Sequence, residues 1–192
     1  MKTHHFRLLA PALALVLAAC LPAVAAGPVR VTDPSAPHQL PADGPVSVSW
    51  TDPAQFSDIR QSRNRWAAER GDWVQQLARY FRKSAQKRLA PGQTLQVTIT
   101  DIKRAGDYEP WHGTQLDDVR FLRDIYPPRI TFDYVLEDAD GRVLAQGSEK
   151  LADLAYLLGS RPLDTDPLRY EKQMIDRWTG TKLPTDQRLG AR

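Results

Sequence analysis

Asp101, Glu109 and His112 are the residues of this chain whose types and spacing could do chemistry. Glu109 and His112 stand three apart in an irregular stretch, Lys103 to Pro128, that also holds Asp107, Asp117 and Asp118. An imidazole beside carboxylates could move a proton or join a divalent-metal site, and paired carboxylates could do the acid–base work of a hydrolase. The spacing matches no strong metal signature, and His112 is the one histidine of the stretch. Asp101 continues the phase of Leu95, Val97 and Ile99, which would turn an acid inward at a strand end. The competing reading ends the strand at Ile99 and turns Asp101 to solvent. No Gly-x-Ser-x-Gly elbow and no Gly-rich phosphate loop occurs, and Ser148 and Ser160 lack local support. The residues therefore read as a non-catalytic chain without cofactor or metal, with a hydrolase built on the three candidates as the alternative.

A second feature is charge. Arg60 to Arg88 holds nine basic residues against Glu69 and Asp72, whereas Asp101 to Asp140 holds ten acids against five bases. Arg79, Arg82, Lys83, Lys87 and Arg88 form a candidate face for an anionic partner such as a lipid headgroup or acidic polymer. A solvated helix face is the plainer reading. The two oppositely charged stretches could also meet across the fold.

The N-terminus is an address. Lys2 and Arg7 precede an apolar run of 12 residues, Leu8 to Ala19, and no acid appears before Asp33. That run is too short to cross a bilayer, which takes about 20 residues, and suits the core of a signal peptide. Ala23-Val24-Ala25 and Val24-Ala25-Ala26 offer small-x-small cleavage sites. Leu17-Ala18-Ala19-Cys20 offers a lipobox, in which Cys20 would be lipidated. Cleavage after Ala26 is the preferred reading and anchoring at Cys20 the alternative; both send the chain to the periplasm or envelope, away from nucleic acid. Cleavage there removes two bases and no acid, so the formal charge of +3 falls to +1. No transmembrane helix is expected in the remaining chain.

The elements that must position the candidates follow from periodicity. Residues 27–45 carry five prolines and read as a mobile Pro-rich linker. Val46 to Trp50 alternates as a strand, ended by Pro53. Trp66, Trp73, Leu77, Tyr80, Phe81, Ala85 and Leu89 keep a helical period, predicting one long amphipathic helix over 62–89 with these on its buried stripe. Leu95, Val97 and Ile99 mark a second strand, and a short helix is predicted around Leu116 to Arg123. Ile130 to Leu136 and Val143 to Gly147 predict a hairpin about Asp138–Gly141, with Glu137 facing Arg142 and Tyr134 facing Ala145. Leu151 to Leu158 reads as a short helix or docking segment. Asp166 and Pro167 open a last helix that buries Leu168, Met174, Ile175 and Trp178 and stops at Gly180. The expectation is one α+β domain over 46–180 and a flexible tail over 181–192. Its small, mostly antiparallel sheet of about four strands would be packed on one face by the long helix, with C-terminal helices beside it.

Four blocks carry a resemblance. They are Val48-Ser49-Trp50-Thr51-Asp52-Pro53 with Phe56-Ser57-Asp58-Ile59-Arg60; Leu95 to Gly106; Arg123-Asp124-Ile125-Tyr126-Pro127-Pro128-Arg129-Ile130 with the hairpin through Leu151-Ala152-Asp153; and Tyr170-Glu171-Lys172 before Met174 and Trp178. Together they resemble the bacterial exported family catalogued as domain of unknown function (DUF) 3016, over most of residues 44 to 180. The resemblance implies a secreted or envelope protein and brings no activity and no catalytic residues. The expected role is binding of an envelope protein or an anionic envelope component.

Overall fold

Val46, Val48 and Trp50 point one way along β1 (Val46–Trp50) and are buried, while Ser47 and Ser49 point the other way. A similar alternation runs through β2 (Thr94–Lys103) and β5 (Arg129–Glu137), whereas β6 (Val143–Ala152) has no fully buried residue. Between β2 and β5 two short strands, β3 (Asp107–Tyr108) and β4 (Arg120–Phe121), pair with each other. The computed structural model describes residues 29–158 and 165–183. The apolar N-terminal run, Cys20, Ser160 and most of the expected tail lie outside the described residues.

The main sheet runs β1-β2-β5-β6. It is mixed rather than mostly antiparallel, because β1 lies parallel to β2 with Val46 beside Leu95 and Trp50 beside Ile99. The helical excursion between the two strands returns the chain to its starting end, which permits a parallel pair. One face is apolar and the other carries Ser49, Thr98, Asp133 and Ser148, as in a sheet covered on one side. Asp133 takes the expected outward place and accepts a hydrogen bond from Ser148 Oγ.

The single long helix expected over 62–89 is instead two pieces, preceded by a separate single turn. A one-turn helix α1 (Ser57–Arg60) is followed by α2 (Arg65–Glu69) and α3 (Trp73–Gln86). Gly71 separates α2 from α3 at φ 85°, a left-handed conformation that suits glycine, and its N–H donates to Val29 O. The break rotates α2 out of phase. Trp73 stays buried and Tyr80 partly so, but Trp66 is 54% exposed, with the Arg70 guanidinium 4.6 Å over its ring.

Helix α4 (Arg169–Lys182) packs beside α3 on the same apolar sheet face. Leu168, Met174, Ile175 and Trp178 are all buried, and Asp166 accepts from Leu168 N at 2.9 Å. The Trp178 ring sits at 4.9 Å from Phe132, 5.2 Å from Tyr134 and 5.5 Å from Phe81, joining both helices to β5. Gly180 lies inside the helix, which continues to Lys182. No helix among the described residues is long and apolar enough to cross a membrane.

The hairpin forms where the pattern places it, but its register differs. Leu136 faces Ala145 and Tyr134 faces Gly147, while Glu137 faces Val143. Asp138 closes the turn by accepting from Arg142 N, and a bulge beside Leu136 adds the rest of the shift. Large still opposes small across the strands. Leu151 and Ala152 end β6, and turns rather than a helix follow. Residues 29–45 carry turns at 31–32, 34–35 and 44–45 and are tied to the domain, with Trp50 N donating to His38 O, Leu40 N donating to Val48 O and Leu40 buried.

Candidate functional site

Asp101 does not point into the core. The strand bulges between Ile99 and Asp101, so that Ile102, opposite Ile130, regains the inward phase. Asp101 instead accepts from Ser57 N at 2.6 Å and Ser57 Oγ at 2.7 Å, anchoring the first turn of α1.

Glu109 and His112 do meet, with His112 Nε2 at 2.9 Å from Glu109 Oε2. Glu109 also accepts from Arg123 Nε at 2.7 Å, Arg123 Nη2 at 2.6 Å and Tyr126 Oη at 3.0 Å. The Arg123 fork, with help from His112 and Tyr126, holds the Glu109 carboxyl down at about 2 against the effect of desolvation. A carboxylate so stabilised is a weak base at neutral pH and is not the proton donor a hydrolase needs. Its four bonds fix the loop. The predicted helix around Leu116 to Arg123 is absent, replaced by a 3-10 turn and β4, because the segment spends its polar groups on these cross-loop bonds.

The densest polar centre lies elsewhere. Asp58 is completely buried and accepts five hydrogen bonds, from Arg104 N and Nε and from Arg120 Nη1 and Nη2, at 2.8–3.1 Å. Lys103 Nζ stands 3.8 Å away. Burial alone would raise the Asp58 carboxyl, but Arg104, Arg120 and Lys103 outweigh it and hold the group below its ordinary value. Both guanidiniums are themselves propped. Arg104 lies 4.2 Å over the Trp73 ring, and Arg120 lies 4.9 Å over Tyr108 while donating to Gly106 O at 2.9 Å. Nearby, buried Glu171 of α4 accepts from Ala105 N at 2.6 Å through Oε1, and its Oε2 has no hydrogen-bond partner. Burial raises the Glu171 carboxyl above its ordinary value.

Asp107 extends this centre toward the surface, bonded by Arg63 Nη1 at 3.1 Å and 3.5 Å from Lys103 Nζ. Arg63 lies 5.3 Å over Trp111 and 5.4 Å over Tyr126. With Arg70 on Asp118, these pairs bring part of the basic run against the acidic stretch. Of the anionic-partner candidates, Arg79 is engaged by Asp72 and Gln75, and Arg82 by Pro41 O and Asp43. Lys83, Lys87 and Arg88 are exposed.

The structure thus separates Asp101 from the other two candidates and gathers a centre on Asp58, Lys103, Arg104 and Arg120 that residue patterns miss. The signal for it was the position of Asp58 between Phe56 and Ile59, both fully buried, inside a polar segment. Among the described residues no group of three or more His, Cys, Asp or Glu side chains is placed to hold a metal ion. Exposed apolar side chains also concentrate in the same lobe: Trp111, Leu116, Val119, Leu122 and Ile125.

A family model described as a protein of unknown function (DUF3016) matches residues 44–181. No curated protein and no solved structure matches the chain.

Proposed function

Because the chain belongs to the DUF3016 family, whose description carries no activity to transfer, we propose from geometry that it is an exported, non-catalytic domain that binds a protein of the cell envelope. The contact surface is the lobe over residues 106–126. The observation that carries the reading is the outward display of Trp111, Leu116, Val119, Leu122 and Ile125 from a backbone anchored by Glu109 and Arg120. Exposed apolar groups gathered on an anchored segment mark interaction sites. Trp66 belongs to the same surface, since Asn64 at the start of its helix donates to Asp117 O at 2.8 Å. The candidate carboxylates support binding over catalysis, because Glu109 serves as counter-ion to Arg123 and Asp101 anchors Ser57.

Export rests on Lys2, Arg7 and the Leu8–Ala19 run, with cleavage after Ala26 preferred over lipidation of Cys20. Intact mass of the protein from a bacterial envelope distinguishes the two, and a product retaining residues 1–26 refutes export. For the surface, a photocrosslinking residue at Ile125 is expected to give an adduct of defined mass in the envelope, and one at Val143 in the hairpin is not. No adduct at either position, or the same adduct at both, refutes the assignment. A second reading places an anionic envelope polymer on exposed Lys83, Lys87 and Arg88 at the end of α3. That binding would weaken steeply between low and high salt, and salt-independent binding excludes it.

A further inference from the structure

The register of β2 on β5 sets Lys103 directly opposite Arg129. Like charges facing each other across strands are unfavourable unless something neutralises them. Asp58 does not do so for Arg129, since it is occupied by Arg104 and Arg120. Asp107 is shared between Arg63, Lys103 and the Tyr108 N–H. Arg129 has no ion pair among the described residues.

A cavity of about 230 Å³ opens at this point, lined by Arg63, Lys103, Arg129, Gln61 and Asp107. The Lys103 side chain is 6% exposed, and its Nζ has no hydrogen-bond partner. Three cations and one carboxylate leave the cavity wall with two positive charges in excess.

We propose that this cavity binds a phosphate monoester, its head held between Lys103 and Arg129 with Arg63 and Gln61 as further donors. The charge fits, because a phosphate monoester carries about −1.5 to −2 at pH 7, whereas a carboxylate would leave one cation unmatched. The volume fits a substituted phosphate. It equals the share of roughly eight water molecules at ~30 Å³ each, more than the five heavy atoms of a bare phosphate need. Ile125, Pro127 and the Tyr126 ring complete the wall and give the ester substituent an apolar side. Burial also depresses the Lys103 amine despite Asp58 and Asp107, so a bound anion supplies counter-charge that the fold leaves short. The cavity borders the protein surface proposed above through Ile125, but its ligand is held by Lys103 and Arg129 outside that surface, so the titration and the crosslinking can fail separately.

The test is titration of the purified protein with glycerol phosphate, inorganic phosphate and acetate at constant ionic strength, followed by calorimetry and by thermal melting. Glycerol phosphate is expected to bind in the millimolar range or tighter, above both other anions, and to raise the melting temperature. Arg129→Gln is expected to fold normally and to lose about tenfold or more in affinity, as for removal of a desolvated charge partner. Lys150→Gln, exposed on β6, is the control and should bind like the parent. Absence of binding overturns the proposal, as does equal binding by Arg129→Gln and the parent. Inorganic phosphate or acetate binding as tightly as the ester overturns the monoester assignment.

Discussion

Replacing Asp58 by Asn tests the buried centre most directly. The carboxylate is wholly buried and takes five hydrogen bonds, with three cations around it. Asparagine can still accept from Arg104 N, but its amide NH₂ would face a guanidinium donor and the cations would lose their counter-ion. Removing one partner of a buried pair costs about 3–5 kcal/mol. That is a large part of the roughly 5–15 kcal/mol that holds a domain folded. At about 2–4 °C per kcal/mol for a chain of this size, the melting temperature should fall by about 6–20 °C. Urea unfolding of parent and variant measures the difference directly. The sign with pH also follows. The folded carboxyl lies below its unfolded value, so its stabilisation is complete above about pH 3.9 and disappears as pH falls through the folded value. Parent and variant should therefore converge in acid. A loss below about 1 kcal/mol at neutral pH, within the range of exposed ion pairs, would refute the reasoning.

Three further outcomes are expected. Glu171 has the opposite sign: its folded carboxyl is raised, so the parent should lose stability as pH rises from the unfolded toward the folded value, and Glu171→Gln should flatten that slope in urea titrations between acid and mild base. Gly106→Ala should destabilise more than Gly141→Ala; both carry about 1–2 kcal/mol of left-handed strain, but a Cβ at 106 would also come within 2.6 Å of Phe121 O, while one at 141 meets nothing within 4 Å. Equal melting temperatures for the two would contradict the crossing of Gly106 against β4. Glu109→Gln should raise amide exchange over residues 107–126 and leave β2 and β5 unchanged, and a uniform rise across the sheet would show that Glu109 supports the whole fold instead.

Local signals in the sequence identify the elements whose own periodicity or turn is regular. The Val46–Trp50 alternation, the hairpin about Asp138–Gly141 and the Leu168/Met174/Ile175/Trp178 stripe all appear where periodicity and turn chemistry place them. Two of the failures share a cause. A bulge after Ile99 reverses which of Asp101 and Ile102 faces inward, and one glycine in the left-handed region takes Trp66 off the Trp73 stripe. Each is a single-residue change of phase that propagates. The buried centre was illegible for another reason. Asp58 meets Arg104 and Arg120 across 46 and 62 residues, and its place between Phe56 and Ile59 points to enclosure without identifying either partner.

Those separations bear on the order in which the molecule assembles. Asp58 on α1 meets Lys103 and Arg104 from the end of β2 and Arg120 from β4, and the Trp73 ring that backs Arg104 comes from α3. Desolvating any of these charges before the others arrive is unfavourable, so the cluster closes only when the sheet and α3 are already in place. Asp58→Asn should consequently speed unfolding and leave the refolding rate nearly unchanged, a φ-value near zero at a fully enclosed charge. The centre that seals the native state is then the last part of it to form and the first to open, and it governs how long the folded protein survives rather than how quickly it appears.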